Sequence, residues 1–589
     1  MDKKVFSKSD SFKSEYSCAV VRVGELTPIE GSDFLAKTEV FGTQIVVRKD
    51  TTKPGDVMIY AANETQLNDR FLSVNNLYEI SCRDKNANYD EVAKIMEEYE
   101  PIRNVADKLK DEAKKVKSKM ESWAKKAKQY EKKASKKKQD LLKTEEGSEE
   151  YKILSNEIAE KERLSNDFMS KSMALTTEYT NLRAEADKLV ASGKHIVDEA
   201  KKHCGFFNKY GRVRCVTLKN TPSFGFLFDP ASLYRFDEKV TKEDVEAYVG
   251  QEFDTVNGEL FCRVFVPPVK EKKVGNNENR AQKKLKRFDR MIDGEFFFHY
   301  DTTQLQKEIE LVKPDDIVDI TTKQHGTSVI IANVHVKQKI RLPLLQRMYN
   351  HIVDSFDLTR KYRVKDYVVD YGPVYSSRKV IKNKYINQNA NEGYYNSDIW
   401  SEYGDIIYPY LEPGMTVYGE ICGYLTGSEK MIQKTYDYGC DKGENNVMFY
   451  RITTADKGEW NVTDVLEWTK GLIERMKDNG DANWKRIKPI DLLYHGTLSD
   501  LYPKIDTEIH WHANVLEAMK NDKEHFGMEL NEPLCTNHEV PREGICLRIE
   551  DDKFKRCWKL KTNSFAIGEA LRMDEGDVDV EMTEGYTEE

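Results

Sequence analysis

Short β-like runs separated by turn-forming residues open the chain. Proline- and glycine-containing turns at 28–31 and 53–56 punctuate these runs, which lie at 18–23, 36–40, 44–48 and 57–60. Closely spaced strands of this length are typical of a small antiparallel barrel. Residues 1–15 are polar and rich in serine and lysine, so we expect a frayed tail there.

The pattern then changes to a helical one. Apolar residues recur with steps of 7, 4, 3, 4, 3 and 4 at Leu109, Val116, Met120, Trp123, Ala127, Tyr130 and Ala134. Residues 145–148 interrupt this heptad seam, and a second seam follows from Leu154 to Ile196. Two seamed helices joined by a short turn predict an antiparallel coiled-coil hairpin. A helix of about 40 residues would project roughly 60 Å.

β-like runs return at 212–218 and 224–228. The hairpin is therefore interpreted as an insertion into a barrel loop, since an antiparallel hairpin has adjacent ends. The predicted fold class is α+β. The predicted divisions are a first barrel part (1–90), the hairpin (91–204), the rest of the barrel (205–268), a basic linker (269–290), a second globular body (291–566) and an acidic tail (567–589).

Composition restricts the functional classes. The net charge is −9, so a nucleic-acid site would have to be local. No apolar run reaches about 18 residues, which predicts no membrane span. The ten cysteines form no C-x-x-C pair, and the N-terminus lacks the apolar stretch of a signal peptide. We expect a reduced, cytoplasmic protein.

The first helix of the predicted hairpin is strongly basic. Residues 103–140 contain fourteen lysines and one arginine against six acids. Two interpretations remain open, a solvated outer face and an arm that follows nucleic-acid phosphates. The partner of segment 91–204 is unknown at this level.

The second globular body carries an ordered set of short motifs. The first is 320–328, a β-rich run that contains Lys323-Gln324-His325-Gly326. Each motif alone is weak evidence for a function. The evidence lies in the order and spacing of the whole set. The later members are Ser377-Arg378, the run 417–423 around Glu420, the aromatic run 447–452, the run 543–548 and Lys559-Leu560-Lys561.

This ordered set resembles the covalent nucleotidyltransferase superfamily of ATP-dependent ligases and capping enzymes. It looks most like the RNA ligase branch, because His325 occupies the third position of the nucleophile motif. The resemblance covers residues 291–565 and implies a nucleotidyltransferase domain of antiparallel sheets with flanking helices. Segments 19–66 and 212–228 also look like the N-terminal OB-fold module of nick-sealing RNA ligases. The hairpin has no counterpart in that pattern.

The resemblance implies that Lys323 is the nucleophile that captures AMP from ATP. A lysine attacks only when neutral, and lowering its reference pKa of ~10.4 to near 7 requires about 4–5 kcal/mol. Lys559 and Lys561, which alternate on one predicted strand and so share a face, are the expected source of that shift. They would also hold the α-phosphate.

The other site residues follow from the resemblance. Glu420 and Glu543 are expected to contact the adenylate ribose and to bind Mg²⁺ or Mn²⁺. Tyr450 is expected to stack on the adenine, with Phe449 as the alternative.

Three further residues of the motifs receive roles in the same way. His325 would orient phosphate, and Gly326 would let the backbone approach the nucleotide. Arg378 would hold the substrate end or the ribose.

The predicted function is an ATP-dependent RNA ligase that joins 3′-OH and 5′-phosphate ends through a lysyl-AMP and an adenylylated nucleic acid. The expected substrate is RNA or a nicked RNA-containing duplex, gripped partly by the barrel, whose removal should spare self-adenylylation. A DNA ligase, a GTP-dependent capping enzyme and a non-catalytic coiled-coil scaffold that binds nucleic acid remain alternatives.

Overall fold

The structure is a computed structural model that describes residues 4–267, 290–300, 302–355, 364–382, 395, 397–550 and 556–574. Nearly all of the predicted basic linker and most of the predicted acidic tail lie outside these residues. The chain divides into two compact units. The first comprises Met1–Thr65, Val213–Pro230 and Lys242–Glu589, and the second comprises Gln66–Arg212 and Ala231–Thr241.

The N-terminal part of the first unit is built from antiparallel strands. One sheet has the order Glu252–Phe253, Cys18–Arg22, Val57–Ala62, Thr221–Phe228 and Cys215–Leu218. A second sheet contains Thr27–Pro28, Leu35–Val40 and Thr43–Arg48. Alternate residues of Leu35–Val40 are buried, as the two-residue period of a strand requires. The two sheets share one apolar core, and the narrower assignment of an OB fold stays a prediction.

The expected frayed tail is wrong for the residues that the structure describes. The strand Phe6–Ser7 pairs with Thr255–Val256. The Phe6 ring is buried, with its centroid 4.8 Å from that of Phe253 and 5.0 Å from that of Tyr248. One aromatic anchor therefore holds a segment whose composition is otherwise that of a tail.

Two further sheets in the first unit belong to the second predicted globular body. The five-stranded sheet has the order Thr303–Gln304, Arg556–Lys561, Gly544–Ile549, Ile317–Lys323 and Leu492–Thr497. The seven-stranded sheet contains Ile381–Lys382, Tyr367–Ser376, Thr327–Lys339, Met415–Gly423, Asn445–Thr454, Gly458–Glu459 and Ile487–Pro489. Only residues 324–326 separate Ile317–Lys323 from Thr327–Lys339, so Lys323 lies where the chain passes from one sheet to the other.

Helices cover these two sheets. The larger sheet packs against Ile399–Ile407 and Val462–Asp478 through a core that includes Trp400 and Leu472. The smaller sheet packs against Trp511–Asn521. The remaining helical segments of the first unit are Ser14–Tyr16, Lys242–Ala247, Leu305–Glu308, Ile309–Leu311, Leu344–Ser355, Tyr408–Tyr410, Ala482–Arg486, Leu498–Leu501 and Asn563–Asp574, and its remaining short strands are Thr255–Val256, Glu259–Leu260 and Cys262–Val264.

The second unit is dominated by the helices Glu100–Leu141 and Glu149–Ser192, which pack tightly along their length. The buried residues Val116, Ala127 and Ala134 belong to the predicted seam. Ser148 caps the second helix by accepting a hydrogen bond from the Tyr151 backbone N–H (3.1 Å). The other helical segments are Asp69–Val74, Ile80–Lys85, Tyr89–Met96, Lys194–Lys201 and Ala231–Phe236, and a short strand, Thr65–Leu67, lies where the chain passes from the first unit to the second.

The predicted α+β class, the antiparallel sheets and the long helical hairpin are confirmed. The predicted domain boundaries along the chain stay predictions. None of the described helices combines the length and the apolar character needed to cross a membrane.

Candidate active site

Lys323 is positioned by the end of a buried strand. Val318 and Ile320 of Ile317–Lys323 are fully buried, which anchors the strand in the core. Lys323 lies opposite Gly544 of the neighbouring strand. A Cβ atom at Gly544 would lie 2.0 Å from the Leu560 carbonyl oxygen, so glycine is required beside Glu543.

Glu543 is the electrostatic centre of the site. Its Oε1 atom lies 2.8 Å from Lys323 Nζ and 3.6 Å from Lys561 Nζ, and its side chain is only 4% exposed. Burial alone would raise the pKa of Glu543, but Lys323, Lys561 and His325 hold that pKa at about 2. The carboxylate is therefore ionised and neutralises two partly buried ammonium groups.

This arrangement gives the resting Lys323 an electrostatic environment that the sequence did not predict. Burial lowers the pKa of Lys323, but the attraction of Glu543 outweighs it and holds the pKa above its ordinary value. The resting lysine is thus protonated rather than neutral. The motif order predicted the neighbouring cations but not the contact between Lys323 and a fully buried carboxylate.

His325 lies in an aromatic enclosure next to Glu543. Its ring centroid is 4.9 Å from each of the Tyr436 and Phe565 rings, in edge-to-face geometry. Its Nδ1 atom is 3.9 Å from Glu543 Oε2, and burial lowers the pKa of His325 to about 4. A neutral imidazole in this position packs beside the carboxylate, and the phosphate-orienting role expected of His325 stays a prediction.

Gly326 and Glu420 connect the two sheets. The Gly326 backbone N–H donates to Glu420 Oε1 (3.0 Å), and the Gly326 carbonyl accepts from Gln433 Nε2 (2.8 Å). A Cβ atom at Gly326 would lie 2.2 Å from the Ile421 carbonyl oxygen. The glycine is needed first for close approach to the neighbouring strand, a reason that differs from the expected approach to a nucleotide.

The aromatic run 447–452 divides its two rings between core and cavity. Phe449 is fully buried and packs against Trp468, with ring centroids 5.8 Å apart. Tyr450 lines the cavity around Lys323. Its hydroxyl is 3.5 Å from Ser328 Oγ and its ring is 5.3 Å from that of His299. Tyr450 is thus the ring that a bound base could reach.

The two downstream lysines meet carboxylates from different parts of the chain. Lys561 Nζ lies 3.0 Å from Glu569 Oε2, eight residues further on in Asn563–Asp574. Lys559 Nζ lies 2.9 Å from Glu15 Oε1 of the N-terminal segment Ser14–Tyr16. Burial lowers the pKa of Lys559 despite this contact. No motif indicated Glu15, whereas the short spacing to Glu569 could have been noticed.

A cavity of about 560 Å³ joins these groups, within the range of small-molecule sites. N-terminal residues, including Glu15, Tyr16 and Gln44, complete its wall. The sequence-predicted site residues that line it are Lys323, His325, Gly326, Arg378, Glu420, Tyr450, Glu543, Lys559 and Lys561, which is the complete predicted set.

The carboxylates of this cavity fit a weakly chelated divalent ion. Glu543 Oε2 is buried and has no hydrogen-bond partner among the described residues. Those residues contain no cluster of three or more histidine, cysteine, aspartate or glutamate side chains that could hold a metal. Mg²⁺ suits such a site because it takes one or two carboxylates and fills its other positions with water and phosphate.

Comparison with known proteins gives matches only among solved structures. No family model matches the chain, and no curated protein matches it. An RNA ligase mutant from Naegleria gruberi, with ATP and Mn, is 13% identical with a TM-score of 0.42, covering 94% of this chain and 98% of that one. The same organism's RNA ligase with PPi is 12% identical with a TM-score of 0.40, covering 96% and 100%.

Proposed function

We propose that this chain is an ATP-dependent RNA ligase that joins a 3′-hydroxyl to a 5′-phosphate. The observation that carries the proposal is the convergence of the complete predicted residue set on one cavity. Lys323 and Lys561 both lie beside Glu543 there. A partly buried nucleophilic amine among cations that can bind phosphate suits covalent nucleotidyl transfer.

In the first step, Lys323 Nζ releases its proton to water and attacks the α-phosphorus of ATP. The P–N bond forms as the bond to pyrophosphate breaks, and pyrophosphate leaves. The resting charge of Lys323 depends on Glu543. Once that carboxylate is drawn to another partner, burial and Lys561 both favour the neutral amine.

In the second step, an oxygen of the RNA 5′-phosphate attacks the lysyl-AMP phosphorus. The P–N bond breaks, Lys323 recovers a proton, and a 5′–5′ anhydride forms. The 3′-hydroxyl then loses its proton and attacks the 5′-phosphate, and AMP leaves. Lys559 and Lys561 stabilise the charge that develops on phosphate oxygens, mainly through prior positioning.

Glu420 and Glu543 are the residues that would hold Mg²⁺ or Mn²⁺. When bound, the ion would neutralise phosphate charge and polarise the phosphorus–oxygen bonds. The buried Glu543 Oε2 atom, which accepts no hydrogen bond from any described residue, supports this role.

The N-terminal module, which comprises the two predicted barrel parts 1–90 and 205–268, is proposed to take part in adenylylation as well as in RNA binding. The sequence alone predicts that its removal spares self-adenylylation. The Glu15–Lys559 pair supports the opposite expectation, because it joins the module to a phosphate-binding lysine. Lys520 Nζ also donates to the Gly42 carbonyl (2.6 Å), a second contact across the same boundary.

The test is incubation with α-labelled ATP and Mg²⁺, followed by acid, which cleaves a phosphoramidate. Wild type should acquire acid-labile label, and Lys323→Ala should acquire none. The exposed Lys313→Ala is the matched control and should label like wild type. Label on Lys323→Ala, or none on wild type, would refute the proposal.

Two substitutions of the substrate separate the alternatives. GTP in place of ATP tests the capping chemistry, and a DNA 3′-end in place of an RNA 3′-end tests DNA joining. We expect ATP and the RNA 3′-end to be preferred. A preference for GTP or for DNA would reassign the enzyme within the same chemistry.

A further inference from the structure

The helix Glu100–Leu141 distributes its charges unequally about its seam. We define the leading flank as the residues that immediately precede each seam position, and the trailing flank as those that immediately follow it. The seam positions, all partly or fully buried, are Leu109, Ala113, Val116, Met120, Trp123, Ala127, Tyr130, Ala134 and Lys137. The leading flank is Lys108, Glu112, Lys115, Lys119, Ser122, Lys126, Gln129, Lys133 and Lys136.

The six lysines of the leading flank are exposed, and none forms an ion pair within the part of the chain that the structure describes. The trailing flank differs. Its Lys110 pairs with Asp107 (3.8 Å), and its Lys117 pairs with Glu121 (3.9 Å). Two more trailing lysines, Lys114 and Lys138, have carboxylate partners at 3.4 and 2.5 Å. Among the described residues, four of the five trailing-flank lysines therefore have a carboxylate partner, and none of the six leading-flank lysines does.

Aromatic rings of the seam support part of the leading flank. Lys126 Nζ lies 5.4 Å from the Trp123 ring centroid, and Lys133 Nζ lies 5.1 Å from that of Tyr130. Lys171 of the facing helix also lies 5.2 Å from the Trp123 ring, but its charge is paired with Asp167 at 2.6 Å. Cation–π contacts of this kind favour a defined side-chain position without neutralising the charge.

The spacing of these lysines suits an extended polyanion. Successive leading-flank lysines are separated by 7, 4, 7, 7 and 3 residues. At 1.5 Å per residue, the row extends for roughly 42 Å. Steps close to the heptad keep the row on one side of a coiled coil. A duplex presents about one phosphate charge per 1.7 Å of its axis, so such a row meets phosphates along its whole length.

We propose that the leading flank binds the phosphate backbone of the RNA that the enzyme joins. The identity of the polyanion rests on the proposed function. Like charges three and four residues apart destabilise a helix, a cost that a bound polyanion would offset. Val105 is the one exposed large hydrophobic side chain among the described residues of this helix. Protein interfaces usually need apolar or aromatic anchors, so an acidic protein is the less suitable partner.

The test uses the full chain and two sextuple variants with the same change in net charge. The leading-flank variant carries Lys→Gln at 108, 115, 119, 126, 133 and 136. The matched control carries Lys→Gln at the five trailing-flank lysines, 110, 114, 117, 128 and 138. It also carries Lys125→Gln, at a position of the same helix that belongs to neither flank. A third variant carries Lys→Arg at the leading-flank positions, which retains the charge. Circular dichroism checks that each variant keeps its helices.

The measurement is the dissociation constant for a nicked RNA duplex longer than the lysine row, at several salt concentrations. The leading-flank variant should bind roughly 100-fold more weakly at low salt. Its plot of log K against log salt should flatten by about 0.9 for each phosphate that the variant no longer neutralises. The control should change binding by less than about threefold, and the Lys→Arg variant should bind like wild type.

Equal weakening in the two glutamine variants would overturn the proposal, as would unchanged RNA binding in the leading-flank variant. Retention of an acidic protein by the wild type without any effect on RNA would also overturn it. Self-adenylylation should remain at the wild-type level in all three variants. Failure of wild type to self-adenylylate would refute the ligase function separately, while the RNA measurement would still decide the role of the flank.

Discussion

The cavity around Lys323 and the leading flank of the hairpin use lysine in opposite ways. In the cavity, Lys323 lies 2.8 Å from Glu543, Lys561 lies 3.0 Å from Glu569 and Lys559 lies 2.9 Å from Glu15. On the leading flank, six exposed lysines have no carboxylate partner among the described residues. In the cavity, each of these three lysines lies beside a carboxylate. On the leading flank, the lysines are exposed to solvent instead.

The difference follows from the cost of burying charge. A buried ammonium group without a partner loses hydration that nothing replaces, so a carboxylate beside Lys323, Lys559 and Lys561 offsets the cost of their burial. An exposed ammonium group stays hydrated, so it needs no carboxylate partner and is available to bind a ligand. Cavity charges therefore act at short range on one phosphate group, while flank charges act collectively and are screened by salt.

The largest effect should come from removing the carboxylate at the centre of the cavity. Glu543→Gln leaves Lys323 and Lys561 without their shared partner. We expect the free energy of unfolding to fall by about 3–5 kcal/mol, measured by urea denaturation. Glu121→Gln removes an exposed partner on the hairpin, 3.9 Å from Lys117, and should cost at most about 1 kcal/mol. Similar losses in the two variants would contradict the distinction between the regions.

The next effect is a pH dependence of stability that originates at His325. Burial lowers its pKa from 6.5 to about 4 in the folded chain. Its contribution is complete above pH 6.5 and is lost as the pH falls from 6.5 towards 4, because the unfolded chain binds the proton first. This loss amounts to about 3 kcal/mol.

His325→Phe should remove that part of the pH dependence, measured by urea denaturation across this interval. The control is the same substitution at the exposed His538. A wild-type profile in His325→Phe would show that the histidine is not buried in neutral form.

Gly326→Ala tests the geometry that brings the cavity residues together. The added Cβ atom would lie 2.2 Å from the Ile421 carbonyl oxygen, so the turn must move away from Glu420. A displacement of about 1 Å can reduce a rate about 100-fold, and we expect self-adenylylation to fall by that order. Gly471→Ala is the control, since its Cβ atom enters open space on a helix and should stabilise by about 0.5–1 kcal/mol. Full activity in Gly326→Ala would show that the turn tolerates a side chain.

Glu15→Gln should have the smallest effect of the series. It removes the partner of a mostly buried Lys559, which we expect to lower the free energy of unfolding by about 1–3 kcal/mol. It also removes an anion that competes with phosphate, so the apparent affinity for ATP should rise. Urea denaturation and the ATP dependence of self-adenylylation measure the two effects. Weaker ATP binding would instead assign Glu15 a role in positioning Lys559 for phosphate.

Local pattern was sufficient for much of this molecule. The heptad seam predicted the hairpin because the seam repeats within each helix and needs only the facing helix to be buried. The alternation of Phe449 and Tyr450 predicted that they face opposite sides of a strand, but the sequence could not decide which side was the core. The tail interpretation was wrong because Phe6 pairs and packs with residues some 250 positions later in the chain. The local composition does not indicate this contact.

By itself, the sequence determined the order of the motifs, the residues that could carry nucleotidyl transfer, and the helical hairpin with its basic first helix. The tertiary structure decided which carboxylate meets which lysine, and hence the protonation of Lys323. It also brought Glu15 to Lys559 across 544 residues. The periodicity of a helix or strand depends on residues that are close in sequence, so the sequence alone reveals it. The electrostatic environment of a buried group depends on distant segments that only the complete fold brings together.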